Sequence, residues 1–176
     1  MKIILLDRDC TIIVDPPDER VDNITKIELF PDTIHALRYL AENDFAVIII
    51  TNQAGIAEGR IGEEEFEAIN TEVIRRLEPS GINILKTYMS PHGSGEVNEW
   101  RKPGPGMLLK AAEDFGFELK STYMVGDRGS DIMAGVNAGS RSVLVKTANI
   151  DVVSDEAEFT AQNLLEAVEY VVAHTA

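Results

Sequence analysis

Lys2-Ile3-Ile4-Leu5-Leu6-Asp7-Arg8-Asp9-Cys10-Thr11 sets an unbroken apolar run directly against two aspartates one residue apart. The run Ile3–Leu6 does not alternate with polar residues, the pattern of a strand covered on both faces in a parallel sheet. Further runs of the same kind follow at Phe45–Ile50, Ile82–Tyr88, Thr122–Val125 and Ser142–Val145. Amphipathic stretches separate them. One opens at Pro31-Asp32-Thr33 and continues to Asn43, and a second covers Glu63–Leu77. Others are read at Pro105–Phe115, Ser130–Ala138 and Ala161–Ala173. Strand and helix thus alternate along the whole chain. That order predicts an α/β fold, a doubly wound, Rossmann-like parallel sheet in three α/β/α layers.

The 176 residues suit one domain over 1–176, and no linker or repeat divides them. Acidic side chains number 30 and basic ones 16, a formal charge of −14. Such a balance repels phosphate backbones and anionic membranes, so it argues against a nucleic-acid or membrane partner. With one cysteine there is no disulfide framework, and with no signal-peptide layout or membrane-length apolar run the expected location is the cytoplasm.

Ligands of open parallel sheets sit at the carboxyl ends of the strands. Those ends carry Asp7-Arg8-Asp9-Cys10-Thr11, then Thr51-Asn52-Gln53, then Ser90-Pro91-His92 with a loop reaching Arg101-Lys102-Pro103, then Gly126-Asp127-Arg128 with Asp131 four residues on. Asp7 and Asp9 point the same way off their strand and repel, so a cation lies between them or one keeps its proton. Asp127 adds a third hard oxygen, a set suited to Mg²⁺. Aspartate can attack phosphorus, and a second carboxyl can serve as general acid and then base. Thr51 and Lys102 supply donors for the phosphoryl oxygens.

Together, Asp7-x-Asp9-x-Thr11, Thr51-Asn52, Lys102 before a helix, and Gly126-Asp127-x-x-x-Asp131 resemble the four motifs of the haloacid dehalogenase (HAD) superfamily of phosphatases. The strings Asp7-Arg8-Asp9, Thr51-Asn52-Gln53-Ala54-Gly55-Ile56-Ala57 and Arg101-Lys102-Pro103 resemble the branch holding heptose 1,7-bisphosphate 7-phosphatases and histidinol-phosphate phosphatases. The resemblance implies that Asp7 is the nucleophile and an Mg²⁺ ligand. It makes Asp9 the general acid/base, with its backbone carbonyl on the metal. It implies that Thr51 holds the phosphate, that Lys102 neutralises an aspartyl-phosphate, and that Asp127 completes the metal shell with Asp131 in support. Thr11, Asn52, Gln53 and Arg101 are then substrate-facing. The expected function is Mg²⁺-dependent phosphomonoester hydrolysis of a small sugar phosphate such as heptose 1,7-bisphosphate, in a monomer or small homo-oligomer. Histidinol phosphate, a polynucleotide 3′-phosphate and a non-catalytic scaffold are the alternatives.

Three departures from that branch stand out. Its zinc loop carries cysteines where this chain has Ser90 and Glu99-Trp100, leaving only His92, so no zinc is expected. Glu58 stands where the heptose phosphatases carry Arg, and Cys10 where Gly is usual. No insertion large enough for a cap domain separates the motifs, which leaves the flap 12–25 and the loop 90–103 around an open site. A receiver module would need an aspartate at the end of the third strand, where Tyr88-Met89-Ser90-Pro91 has none.

Overall fold

In the computed structural model, which describes residues 1–17, 21–147 and 152–175, six parallel strands form one sheet. Chain order gives β1 (Lys2–Leu6), α1 (Thr33–Glu42), β2 (Phe45–Asn52), α2 (Ala54–Ala57), α3 (Glu63–Leu77) and β3 (Asn83–Ser90). Then come α4 (Gly106–Phe115), β4 (Tyr123–Gly126), α5 (Gly129–Ala138), β5 (Arg141–Val145), β6 (Phe159–Ala161) and α6 (Leu164–His174). The strand order is β3-β2-β1-β4-β5-β6, so the order reverses beside β1, where β1 pairs with both β2 and β4. A crevice opens at that switch point, outside the carboxyl ends of these strands.

Alternation within the apolar strands divides the core in two. Ile4, Leu6, Val47, Ile49, Val125 and Val143 face one layer with α1, α3 and α6. Leu5, Ile48, Ile50 and Met124 face the other with Met107, Leu108 and Ala111 of α4 and Ala134 of α5. Both faces of β1 and β2 are therefore covered, which is why their sequences are continuously apolar. Between β1 and α1 the described residues hold only one 3₁₀ turn, Ile24–Lys26. Between β2 and β3 they hold α2, α3 and a second 3₁₀ turn, so no cap domain is inserted. No helix of the described residues is long and apolar enough to cross a membrane.

The sequence reading and the fold differ at the sheet edges. The third strand is displaced to Asn83–Ser90, and it is only half-buried because it is an edge strand. The last helix starts at Leu164 rather than Ala161: the Asn163 side chain caps it by accepting from Glu166 N at 2.9 Å. Ala161 belongs to β6, a sixth strand of three residues that was not anticipated. Residues 18–20 of the expected flap lie outside the described residues. On either side of them, Ile12, Ile13 and Ile27 are packed into the core, so the flap's ends are anchored.

Candidate active site

A cleft of about 1320 Å³ lies over the carboxyl ends of β1, β2 and β4, lined by Asp7, Asp9, Gln53, Arg101, Lys102 and Asp131 among others. At its base sits Lys102, which is 3% exposed and carried there by the loop ahead of α4. Its Nζ lies 2.6 Å from Asp7 Oδ1, 2.6 Å from Asp131 Oδ1 and 2.8 Å from the Ile50 carbonyl. The Asn52 side chain fixes the Lys102 backbone from both sides, accepting from its N–H at 3.1 Å and donating to its carbonyl at 3.0 Å. Asn52, expected to face substrate, thus has both ends of its amide on the lysine's main chain.

Asp131 is the third residue of α5. Its Oδ2 accepts from Arg128 N at 2.9 Å, capping the helix start, while Oδ1 holds Lys102. Its role is therefore electrostatic as well as structural. One oxygen each from Asp7, Asp127 and Asp131 lies within 4.8 Å of the others, all three residues being buried. The Lys102 ammonium faces Asp7 and Asp131, and Arg128 Nε lies 3.9 Å from Asp127 Oδ2. Burial first, then the Asp131 charge, pushes the Asp7 carboxyl well above the usual carboxylate range, with Lys102 opposing and Asp127 and Asp9 adding to the rise. Burial would lower the Lys102 ammonium, but Asp131 and Asp7 outweigh it and raise it. A hard donor set made of three carboxylates fits a cation such as Mg²⁺.

Asp9 is turned differently from the other acids. Gln53 Nε2 donates to its Oδ2 at 2.6 Å, Thr51 Oγ1 stands 3.4 Å from the same oxygen, and Gln53 Nε2 reaches Thr51 Oγ1 at 2.9 Å. Asp9, Thr51 and Gln53 are thereby brought together beside the acid cluster. Arg101, half-buried, donates to the His92 carbonyl at 3.0 Å and lines the cleft. Thr11 departs from the expectation: it is fully buried, its hydroxyl finds no partner, and it does not line the cleft.

The loop 90–103 is braced by side chains. Glu96 accepts from Gly93 N at 3.0 Å and pairs with His92 Nδ1 at 3.0 Å, and Asn98 accepts from the Trp100 and Arg101 N–H groups at 3.0 and 2.8 Å. Trp100 donates from Nε1 to Met89 O at 2.9 Å and meets Tyr88 edge-on with ring centroids 6.4 Å apart. It is thus a support for the loop. Cys10 has φ 61°, in the left-handed region, which supplies a physical reason for glycine being usual there. Two supporting residues escaped the reading of the sequence: Gly126, which a side chain at that position would press into Asp131, and Arg8, whose fork grips Asp9. The Gly-Asp pair carried a signal for the first, and the Asp7-Arg8-Asp9 string for the second, though neither string shows the contact.

Comparison with known proteins bears on the family and the fold. A family profile described as HAD-hydrolase-like matches residues 99–169. The D-glycero-beta-D-manno-heptose-1,7-bisphosphate 7-phosphatase of Escherichia coli (strain K12) is 36% identical over 174 residues, covering 94% of this chain and 88% of its own. The histidine biosynthesis bifunctional protein HisB of Spirosoma linguale is 31% identical over 150 residues, and the chain spans only 39% of its length. Among solved structures, the D,D-heptose 1,7-bisphosphate phosphatase of B. bronchiseptica, complexed with magnesium and phosphate, superposes with a TM-score of 0.90 at 28% identity. That match covers 99% of this chain and 100% of the other. The chain belongs to the HAD-like hydrolases, as one of the phosphatases of that family.

Proposed function

We propose that the protein is an Mg²⁺-dependent phosphomonoesterase that works through an aspartyl-phosphate on Asp7, with heptose 1,7-bisphosphate as its substrate. The observation that carries the reading is the Lys102 ammonium held 2.6 Å from both Asp7 and Asp131 beneath an open cleft, with Asp127 beside them. Asp7 and Asp127 would hold the Mg²⁺ with the Asp9 carbonyl, and Asp131 would support them through Lys102. The ion supplies charge neutralisation for an approaching phosphate dianion. Lys102 keeps the attacked carboxylate in place and screens the charge that develops as the new O–P bond forms. Thr51 offers a hydroxyl to the phosphoryl oxygens. Asp9, on the cleft side of Asp7, gives its proton to the departing alcohol and then takes one from the attacking water. Gln53 and Arg101 line the cleft where the sugar would lie. The heptose substrate is favoured by the relatives named for it, one of them matched over 94% of this chain.

The test is phosphate release with added Mg²⁺ from heptose 1,7-bisphosphate, histidinol phosphate, hexose phosphates and a 3′-phosphorylated oligonucleotide, with Asp7→Asn beside the native chain. Preference for the heptose at its 7-phosphate, lost in Asp7→Asn and on chelation, is the expected result. Equal turnover by Asp7→Asn would remove Asp7 as nucleophile.

A further inference from the structure

Between the two aspartates lies a residue to which the reaction above assigns no part. Arg8 is 1% exposed, although it and both flanking aspartates border the cleft. Its Nε and Nη2 lie 3.1 and 2.9 Å from Asp9 Oδ1, and Nη2 lies 3.2 Å from Oδ2. Behind it, the guanidinium carbon stands 5.1 Å from the ring centroid of Phe66, which α3 holds in the core. Its carbonyl accepts from Ile12 N at 2.9 Å and Ile13 N at 3.1 Å, so the main chain here is fixed too. Nη1 is buried without a hydrogen-bond partner. Burying a guanidinium is costly, and an apolar side chain on Phe66 would fill the same space without an orphaned donor. The return on that cost is found at Asp9, whose side chain is 24% exposed to the cleft and is the carboxylate that the fork touches.

We propose that Arg8 is a positioning residue that locks the Asp9 carboxylate in the orientation proton transfer requires. This rests on the proposed aspartyl-phosphate reaction. Nε and Nη2 anchor Oδ1, and Nη2 also reaches Oδ2, where Gln53 Nε2 and Thr51 Oγ1 converge, so both oxygens of the carboxylate are held in one orientation. In the first step the Asp7 oxygen bonds phosphorus as the P–O bond to the alcohol breaks, and Asp9 gives that alcohol oxygen its proton. In the second, water attacks phosphorus, Asp9 takes back one of its protons, and Asp7 is released from phosphate. Without the fork, Asp9 samples other rotamers, and a misplacement near 1 Å in a proton-transferring group costs up to about a hundredfold.

The leaving group separates this role from a merely structural one. A sugar alkoxide needs the proton as it leaves, whereas nitrophenolate does not. The experiment compares kcat/KM for heptose 1,7-bisphosphate with that for 4-nitrophenyl phosphate in the native chain, Asp9→Asn, Arg8→Met and Arg8→Lys. Expected is a fall of at least about tenfold in the alkyl-to-aryl ratio for Arg8→Met, in the same direction as Asp9→Asn. Arg8→Lys, with charge but no fork, should also lower the ratio, and it decides the matter alone if Arg8→Met does not fold. Equal losses on both esters, or a native ratio in a folded Arg8 variant, would overturn the inference while leaving the nucleophile in place. Activity surviving in Asp7→Asn would instead overturn the underlying reaction, and this inference with it.

Discussion

Gly126 ends β4, and a methyl group there tests whether the position of Asp131 matters. A Cβ at residue 126 would lie 2.4 Å from Asp131 Cγ and 2.5 Å from both its Cβ and Oδ2. Carbon atoms rest about 3.5–4.0 Å apart, so the Asp131 side chain must retreat by roughly 1 Å. Its Oδ1 sits 2.6 Å from Lys102 Nζ, and such a retreat stretches that contact to about 3.6 Å, past hydrogen-bond range. Oδ2 leaves Arg128 N at the same time, loosening the start of α5. Gly126→Ala should therefore cost about 1–3 kcal/mol in stability, as overpacking does, and about a hundredfold in kcat/KM, as a 1 Å displacement of a site group does. The assay is Mg²⁺-dependent phosphate release at a temperature where circular dichroism shows the variant folded. A cycle with Asp131→Ala isolates the route: on that background, adding the methyl should cost less than about threefold. A folded Gly126→Ala with activity within threefold of the native chain would refute the reasoning, since it would show the Asp131–Lys102 contact to be dispensable.

The remaining expectations concern charge and support. Asp7 has a folded-state pKa above its unfolded value, so the folded state binds the extra proton between the two values. The metal-free protein should therefore gain stability as pH falls through the raised Asp7 value toward the ordinary carboxylate range, and Asp7→Asn should flatten that slope in thermal melts. Lys102→Met leaves the buried carboxylates without their ammonium and should cost about 3–5 kcal/mol without metal, part of it recovered in the melting temperature on adding Mg²⁺. Trp100→Phe removes the 2.9 Å bond to Met89 O and should cost about 1 kcal/mol in urea unfolding. Trp100→Ala should cost more, because the edge contact with Tyr88 goes too.

What could be read from the chain, and what could not, follows from where information is stored. The strands β1, β2, β4 and β5 are covered on both faces, so burial wrote itself into uninterrupted runs such as Phe45–Ile50. The ends of those strands carry Asp7, Asp9, Thr51 and Asp127 because there the sheet opens, while Lys102 arrives on the loop between β3 and α4. At β6 and β3 the sheet has an exposed edge, the selection for apolar residues weakens, and the boundaries blur. Side-chain purpose was harder to see. Asn52 carries an amide suited to a substrate, yet its amide closes a ring with the Lys102 backbone, a partner 50 residues away. Arg8, flanked by two acids, has the composition of a solvated turn, and only the arrival of Phe66 from α3 turns it into a buried clamp. Local pattern fixes which groups reach the cleft, while contacts between distant segments decide which of them meet the substrate and which hold the others still.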